Sequence, residues 1–147
     1  MRTVEIERRK LYFWAGYVAL ILLGMLIFGK WVPEGRYRAN AVRSKENLHA
    51  VQIALERFAV DQPTNAYPQS IQQVIDAGYM EQLPINPFSG EPMRYYEPPA
   101  SEIPAKGYYE TGLPQLQGFG PGDFLYQRRY MDGQTEGEVV NYTLYLY

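Results

Sequence analysis

Cysteine is absent from this sequence of 147 residues, and histidine occurs once, at His49. Without cysteine the chain has no disulfide, no zinc–thiolate site and no thiol nucleophile. A lone histidine gives little basis for a metal cluster or a serine–histidine relay. The glycine-rich run 118–122 is interrupted by proline and lacks the lysine of a phosphate-binding loop. We find no enzymatic motif, so the sequence favours a structural or binding role without a cofactor.

Basic residues are scarce in the larger part of the chain. Residues 1–30 hold five basic and two acidic residues, whereas residues 31–147 hold nine basic and fourteen acidic residues. Proteins that bind nucleic acid concentrate positive charge on their folded part. This chain has the opposite distribution, and no nucleic-acid partner is expected.

One stretch, Leu11 to Gly29, contains no charged residue. As a helix it would extend about 28 Å, close to the thickness of the bilayer's hydrocarbon core. Basic and aromatic residues lie near both of its ends, as they do at membrane interfaces: Arg8, Arg9, Lys10, Tyr12, Trp14, Lys30 and Trp31. The pattern predicts a basic tail over 1–10, a transmembrane helix over 11–30 and a domain over 31–147. A cleaved signal peptide and a buried helix are the alternatives, but Gly29 is followed by no small-x-small exit.

The orientation of the predicted span rests on weaker signals. Basic residues before and after it are nearly equal in number, so the positive-inside rule is almost balanced. The region after the span is acidic and rich in proline and tyrosine, as many extracytoplasmic domains are. We therefore expect a single-pass protein of the inner or cytoplasmic membrane, with its N-terminus cytoplasmic and its C-terminal domain extracytoplasmic.

An amphipathic helix is predicted over 36–61, after Pro33, which should bend or break the preceding helix. Apolar and small residues recur there at alternating spacings of three and four: Ala41, Ser44, Leu48, Val51, Leu55 and Phe58. Four of them, Leu48, Val51, Leu55 and Phe58, are expected to pack the helix against a sheet. His49 lies beside this stripe, on the predicted helix surface.

The remaining residues indicate a second, short helix and a small sheet. Residues 70–77 fit a helix that Ser70 caps and Gly78 ends. The sheet over 93–147 is expected to contain strands at 93–96, 124–130 and 139–147, the last with Val140 on the same face as Tyr142, Leu144 and Leu146. The predicted fold class is α+β, with one long N-terminal helix packed on a small antiparallel sheet.

Four segments resemble type IV pilin-like proteins, and most closely the major pseudopilin of type II secretion systems. They occur in the family's order: Leu23-Gly24-Met25-Leu26 with Val32-Pro33; Ala54–Asp61 with Tyr67-Pro68; Leu83–Pro92 with Tyr95-Tyr96; and Gly122-Asp123-Phe124 leading towards Asp132-Gly133. The resemblance implies a helix half in the membrane and half packed on the sheet. It also implies a subunit that assembles through its helix into a secretion or pilus-type filament. Its partners would be copies of itself, other pilin-like subunits or secretion-platform proteins.

Two features of the family are missing. A glycine normally ends the basic leader, but Arg9-Lys10-Leu11 contains none. A glutamate normally lies five residues into the processed helix, but Leu11–Gly29 contains no carboxylate. These departures favour an alternative in which the chain stays uncleaved and its pilin-like head binds an envelope partner without polymerising.

Two sets of candidate site residues follow. The anchor and assembly helix would use Leu11, Trp14, Gly16, Leu23, Gly24 and Pro33. The resemblance also points to calcium in a C-terminal loop, for which Asp123 and Asp132 are candidate oxygen ligands. A solvated acidic hairpin is the alternative for these carboxylates. The tyrosines of the predicted strands are interpreted as packing residues, with an exposed contact patch as the second reading.

Overall fold

The computed structural model describes residues 2–104, 107–130 and 137–147, without the side chains of residues 2–11, 30 and 31. The chain forms a mixed α+β structure with a long N-terminal helix and a three-stranded sheet. Its elements are helix α1 (Arg2–Asp61), helix α2 (Ile71–Asp76), strand β1 (Tyr95–Tyr96), a 3-10 turn (Ala100–Glu102), helix α3 (Gly107–Thr111), strand β2 (Phe124–Tyr130) and strand β3 (Val139–Leu146). It divides into two compact units, Met1–Ala39 and Asn40–Tyr147.

Helix α1 continues through Pro33, so of the two predicted effects of this residue the break is wrong, and the bend stays a prediction. Proline removes the N–H that would bond to the carbonyl four residues earlier, and its ring crowds that carbonyl. The residue four positions earlier is Gly29, and α1 passes through both residues as one helix. The amphipathic segment predicted over 36–61 is therefore the C-terminal part of α1 rather than a separate helix.

The core of the C-terminal unit joins α1 to the sheet and to α2. Its fully or nearly fully buried members come from all three elements and from the loops between them: Val51, Ala54, Leu55, Ile71, Val74, Leu83, Met93, Phe124 and Tyr126. Leu48 is half-buried against this cluster, and Phe58 is buried with its ring edge-on to Tyr79 at 5.5 Å. The four residues that were predicted to pack α1 against the sheet are thus all buried or half-buried. Their helical spacing places them on one face of α1.

Helix α2 has the ends that its sequence predicts. The Ser70 hydroxyl accepts a hydrogen bond from the Gln73 N–H at 3.2 Å, which satisfies a donor of the first turn. Gly78 follows the helix with a φ of +80°, a conformation that glycine adopts without steric cost. The helix is anchored from outside as well, because the Glu97 carboxylate accepts from the Ile71 N–H at 2.7 Å.

The sheet is mixed, so the predicted antiparallel sheet is wrong for one of its two pairings. β2 pairs with β3 antiparallel, but β1 runs parallel to β2, in the order β1-β2-β3. Parallel neighbours need a long crossover, which residues 97–123 supply. β1 is also shorter than predicted, because the Met93 and Arg94 N–H groups bond to the Pro84 carbonyl and the Asp123 carboxylate instead.

An irregularity in the ladder changes the face that one residue of β3 occupies. The register shifts between Arg129 and Tyr130, so that Tyr130 is opposite Val139. Val139 is fully buried, whereas Val140 is 40% exposed. The prediction that Val140 shares the core face with Tyr142, Leu144 and Leu146 is therefore wrong, since a bulge inserts one residue and inverts the alternation beyond it.

Candidate functional site

The first candidate site is the apolar part of α1 in the N-terminal unit. An 18-residue window there has a mean hydropathy of 1.9, and none of that window is buried. By length and composition, α1 is the one helix among the described residues that is apolar enough to cross a membrane. Its large side chains lie in the open, with Phe13 and Leu20 exposed to 73% and 69%.

The residues predicted for anchoring fall along this surface. Trp14 is 63% exposed and contacts the Tyr17 ring edge-on at 6.3 Å, and Leu23 is 55% exposed. Gly16 and Gly24 have no atom within 4 Å of the position where a Cβ would stand, so another helix could approach closely at both. Pro33 is exposed inside α1. The Leu11 side chain lies outside the described part.

Asp123, one of the two predicted calcium ligands, is a buried carboxylate with several protein donors around it. Its Oδ1 accepts from Asn86 Nδ2 and from the Arg94 N–H, both at 3.0 Å, and its Oδ2 accepts from the Gly120 N–H at 3.1 Å. Three acceptor positions of the carboxylate are thus occupied by protein N–H groups. We call Asn86, Arg94, Gly120 and Asp123 the Asp123 cluster.

Asn86 connects this cluster to the turn over 84–93. Its Oδ1 accepts from the Phe88 N–H at 2.9 Å, and its Nδ2 also donates to the Pro121 carbonyl at 3.0 Å. Gly122 lies against the amide group with a φ of +89°, and a Cβ there would stand 2.3 Å from Asn86 Oδ1. No residue with a side chain fits this position unless Asn86 moves.

The second predicted calcium ligand, Asp132, lies outside the described residues. The calcium site therefore stays a prediction. Within the described ranges no three histidine, cysteine, aspartate or glutamate side chains are grouped so that they could hold a metal ion.

Three tyrosines of the C-terminal unit donate their hydroxyls to protein acceptors. Tyr126 is fully buried and donates to the Pro68 carbonyl at 2.7 Å. Tyr142 and Tyr67 both donate to the Glu56 carboxylate of α1, at 2.7 and 2.9 Å. Burial, followed by the bond to Glu56, raises the pKa of both hydroxyls. Tyr142 thereby connects β3 to α1, in agreement with the packing interpretation, whereas Tyr109 is 91% exposed.

Two grooves lie along the C-terminal part of α1. The first has a volume of about 390 Å³ and is lined by His49, Gln52, Ile53, Glu56, Arg57, Val60, Asp61 and Tyr79. The second has a volume of about 570 Å³ and is lined by Lys45, Leu48, His49, Gln52, Glu56, Asn141, Tyr142, Thr143, Leu144 and Leu146. The second groove, the α1–β3 groove, follows an edge of the sheet that the sequence pattern did not reveal.

Glu97 introduces a pH dependence into the C-terminal unit. Burial raises the pKa of its carboxyl, although the Ile71 N–H and the Arg128 guanidinium oppose this effect. Because the raised value belongs to the folded state, the ionised carboxylate disfavours folding at neutral pH. That penalty disappears as the pH falls through the folded-state pKa towards the ordinary value of 4.5.

We expect Glu97→Gln to raise the free energy of unfolding at pH 7 by about 0.5 kcal/mol, since the side chain is partly solvated. The amide keeps an acceptor for the Ile71 N–H. The measurement is urea unfolding of the full chain in detergent between pH 7 and pH 4, with Glu110→Gln, at an exposed position, as the control. A gain that fails to shrink towards acid pH would contradict this assignment.

No protein-family model, no characterised protein and no solved structure matches this chain.

Proposed function

We propose that this protein is a membrane-anchored structural subunit of the type IV pilin-like class that acts in a secretion or pilus-type filament. In this proposal the helix over 11–30 anchors the subunit and packs against neighbouring subunits. The C-terminal unit provides the outward surface, and the protein performs no catalysis. The neighbours would be copies of the chain, other pilin-like subunits or secretion-platform proteins.

The exposed apolar surface of α1 is the observation that carries the proposal. A run of large apolar side chains without a protein partner is unfavourable in water and typical of a membrane or an interface between subunits. The C-terminal unit has its own core, so the apolar part of α1 is not needed to complete it. Open positions at Gly16 and Gly24 add sites where helices can approach one another.

The second candidate function is an uncleaved adaptor whose head binds an envelope partner. Its specific support is the absence of a glycine in Arg9-Lys10-Leu11 and of any carboxylate in Leu11–Gly29. A carboxylate within a membrane helix is retained where a cation partner exists. Because the apolar run of this chain contains no carboxylate, it has no equivalent of the carboxylate–cation pair that the family uses during assembly.

Intact mass and N-terminal sequencing of the protein from its native membranes distinguish the two candidates. A chain that begins at Met1 keeps its helix as a permanent anchor and supports the adaptor. A chain that begins at Leu11 or Tyr12 has been processed without a glycine and supports the filament subunit. A chain that begins after Gly29 has lost its helix as a signal peptide, and both proposals then fail.

The proposed membrane span predicts that a charged residue introduced at its middle weakens membrane insertion. Leu20→Arg places a cation at the middle of the apolar run, where it disfavours insertion by about 3 kcal/mol. We expect this variant to leave the carbonate-resistant membrane fraction. Val42→Arg, at another exposed position of α1 beyond the apolar run, should remain in it. Equal extraction of the two variants would contradict a span at this position.

Because the chain has no cysteine, single introduced cysteines report sidedness and assembly without background. Ser101→Cys should react with an impermeant maleimide on intact cells, whereas Thr3→Cys should react after lysis. Gly24→Cys, with one thiol per chain, should give a disulfide-linked dimer on oxidation if helices pack against one another in a filament, with Glu110→Cys as the exposed control. An adaptor that does not self-associate predicts no such dimer.

A further inference from the structure

β3 is an outer strand of the sheet, and part of its free edge has no partner among the residues that the structure describes. The sheet order β1-β2-β3 leaves one side of β3 unpaired among the described residues. At one end that side is covered, because the Tyr67 N–H donates to the Val139 carbonyl at 2.9 Å. The segment from Tyr142 to Leu146 has no equivalent cover in the part of the chain that the structure describes.

Two hydrogen bonds fix which groups of β3 point to the free edge. The Tyr147 N–H donates to the Asp123 carbonyl at 2.8 Å, and the Tyr147 carbonyl accepts from the Gly122 N–H at 3.2 Å. Tyr147 therefore faces β2, and in an antiparallel ladder alternate residues face opposite sides. The Phe124 N–H supports this assignment, because it donates to the Arg94 carbonyl on the β1 side and so does not bond to Leu146, the residue opposite Phe124 in β3.

The main-chain groups of Tyr142, Leu144 and Leu146 consequently point away from β2. The Tyr142 N–H is satisfied locally by its neighbour, the Asn141 Oδ1, at 2.7 Å. The remaining groups are the Tyr142 carbonyl and the N–H and carbonyl groups of Leu144 and Leu146. They form an alternating set of acceptors and donors that matches the main chain of an extended strand.

The α1–β3 groove runs along this edge. Its two ends are marked by charge: Glu56 lies at the Tyr142 end, because its carboxylate accepts the Tyr142 hydroxyl, and Lys45 lies eleven residues earlier on α1. That length of helix is about 16 Å, which is the length of about five residues of an extended strand. The lining of the groove is partly apolar, because it includes Leu48, Leu144 and Leu146.

We propose that the α1–β3 groove binds an extended segment of a partner polypeptide, which adds to the sheet as a fourth strand beside β3. Its main chain pairs with Leu144 and Leu146, and its alternate side chains on the α1 side are uncharged and lie on Leu48. An acidic residue lies at the Lys45 end, and a basic or polar residue lies at the Glu56 end. β3 attracts such a segment because its eight residues, Val139–Leu146, include no charge, proline or glycine, the features that normally protect an edge strand.

A single strand fits this groove better than the sheet of a second copy. In a second copy the same edge has its own α1 beside it, so that pairing of the two edges would crowd both helices at one seam. This inference goes beyond the proposed function and does not depend on it, since all the residues involved belong to the C-terminal unit.

The test measures amide hydrogen exchange of the full chain in detergent micelles with a designed peptide. The probe is a hexapeptide with blocked termini, in which alternating valine and threonine separate a glutamate at one end from a lysine at the other by about 16 Å, made in both orders. At ten times the Kd of the better peptide, exchange at Leu144 and Leu146 should slow about tenfold. The control peptide is N-methylated at alternate amides, which prevents strand pairing, and it should give no protection.

Leu144→Pro and Leu144→Thr form a matched pair of variants. Both shorten the side chain, but the proline variant alone loses the N–H at the edge, a site that tolerates proline because this group does not bond to β2. We expect the Kd of the threonine variant for the peptide to lie within about threefold of that of the unaltered chain. The Kd of the proline variant should be at least about tenfold higher.

Three results would overturn the proposal. The first is protection by neither peptide, and the second is equal protection by the N-methylated control, which would mean binding without strand pairing. The third is protection of Leu144 and Leu146 that rises with protein concentration in the absence of peptide, which would identify a second copy as the occupant. If Leu144→Pro does not fold, the comparison of the two peptides on the unaltered chain decides the question.

Discussion

Replacement of Asp123 by alanine should lower the free energy of unfolding of the C-terminal unit by about 4 kcal/mol. The variant leaves the Asn86 amide and the N–H groups of Arg94 and Gly120 without their shared acceptor. Asp123 is 6% exposed, so water reaches these donors poorly. The measurement is pulse proteolysis of the full chain in detergent across a urea series, which reports the C-terminal unit directly.

The control for this variant is Glu110→Ala, at an exposed position of α3, which should change the unfolding free energy by less than 0.5 kcal/mol, about the usual size of a surface effect. Asp123→Asn separates two roles of the carboxylate. If the cluster is held by hydrogen bonds alone, the asparagine variant is destabilised equally with and without millimolar calcium. If calcium binds as predicted, calcium stabilises the unaltered chain and not this variant. A loss below about 1 kcal/mol in Asp123→Ala would contradict the structural role of the cluster.

Leu55→Ala should cost about 3 to 4 kcal/mol, because it leaves a cavity in the main core. Leu55 is fully buried where α1 meets α2 and the sheet, in one cluster with Ile71 and Phe124. Alanine keeps the helix propensity high, so the loss is expected from packing rather than from the helix itself. The same proteolysis experiment measures it.

Ile53→Ala provides the matched comparison, because Ile53 lies two residues away on α1 and is 40% exposed. The two variants remove similar aliphatic groups from one helix, but from positions of different burial. Ile53→Ala should cost less than about 1 kcal/mol. If the two costs were equal, the core face of α1 would be assigned incorrectly.

Local signals account for the parts of the fold that the sequence predicted. Ser70 and Gly78 bracket α2 because a cap and a positive φ are local requirements. Phe124–Tyr130 is the strand that was expected, since it contains no proline or glycine and three of its residues are aromatic. The parts that failed depend on partners distant in sequence. The direction of β1 is set by the crossover that follows it, and the position of Val140 is set by a bulge against Tyr130.

The candidate sites show the same division. The apolar run could be recognised from its composition alone. It is exposed in the structure because the described part of unit Met1–Ala39 contains no other element that could cover it. The Asp123 cluster was missed, because no spacing rule connects Asn86 to a carboxylate 37 residues later. The turn signal Asn86-Pro87 with Gly90 was its one local indication. The free edge of β3 could not be recognised before the strand order was known.

The bond between Glu56 and Tyr142 joins residues 86 positions apart, and this has a consequence for biogenesis. The face of α1 that carries Val51 and Leu55 is synthesised before β2 and β3, which cover it. Contacts between distant segments make folding slow and leave apolar surface open in the meantime. During translation the nascent chain therefore presents this face until β2 and β3 have been synthesised. A chaperone that holds α1 over this interval would raise the yield of the folded protein without altering its final stability.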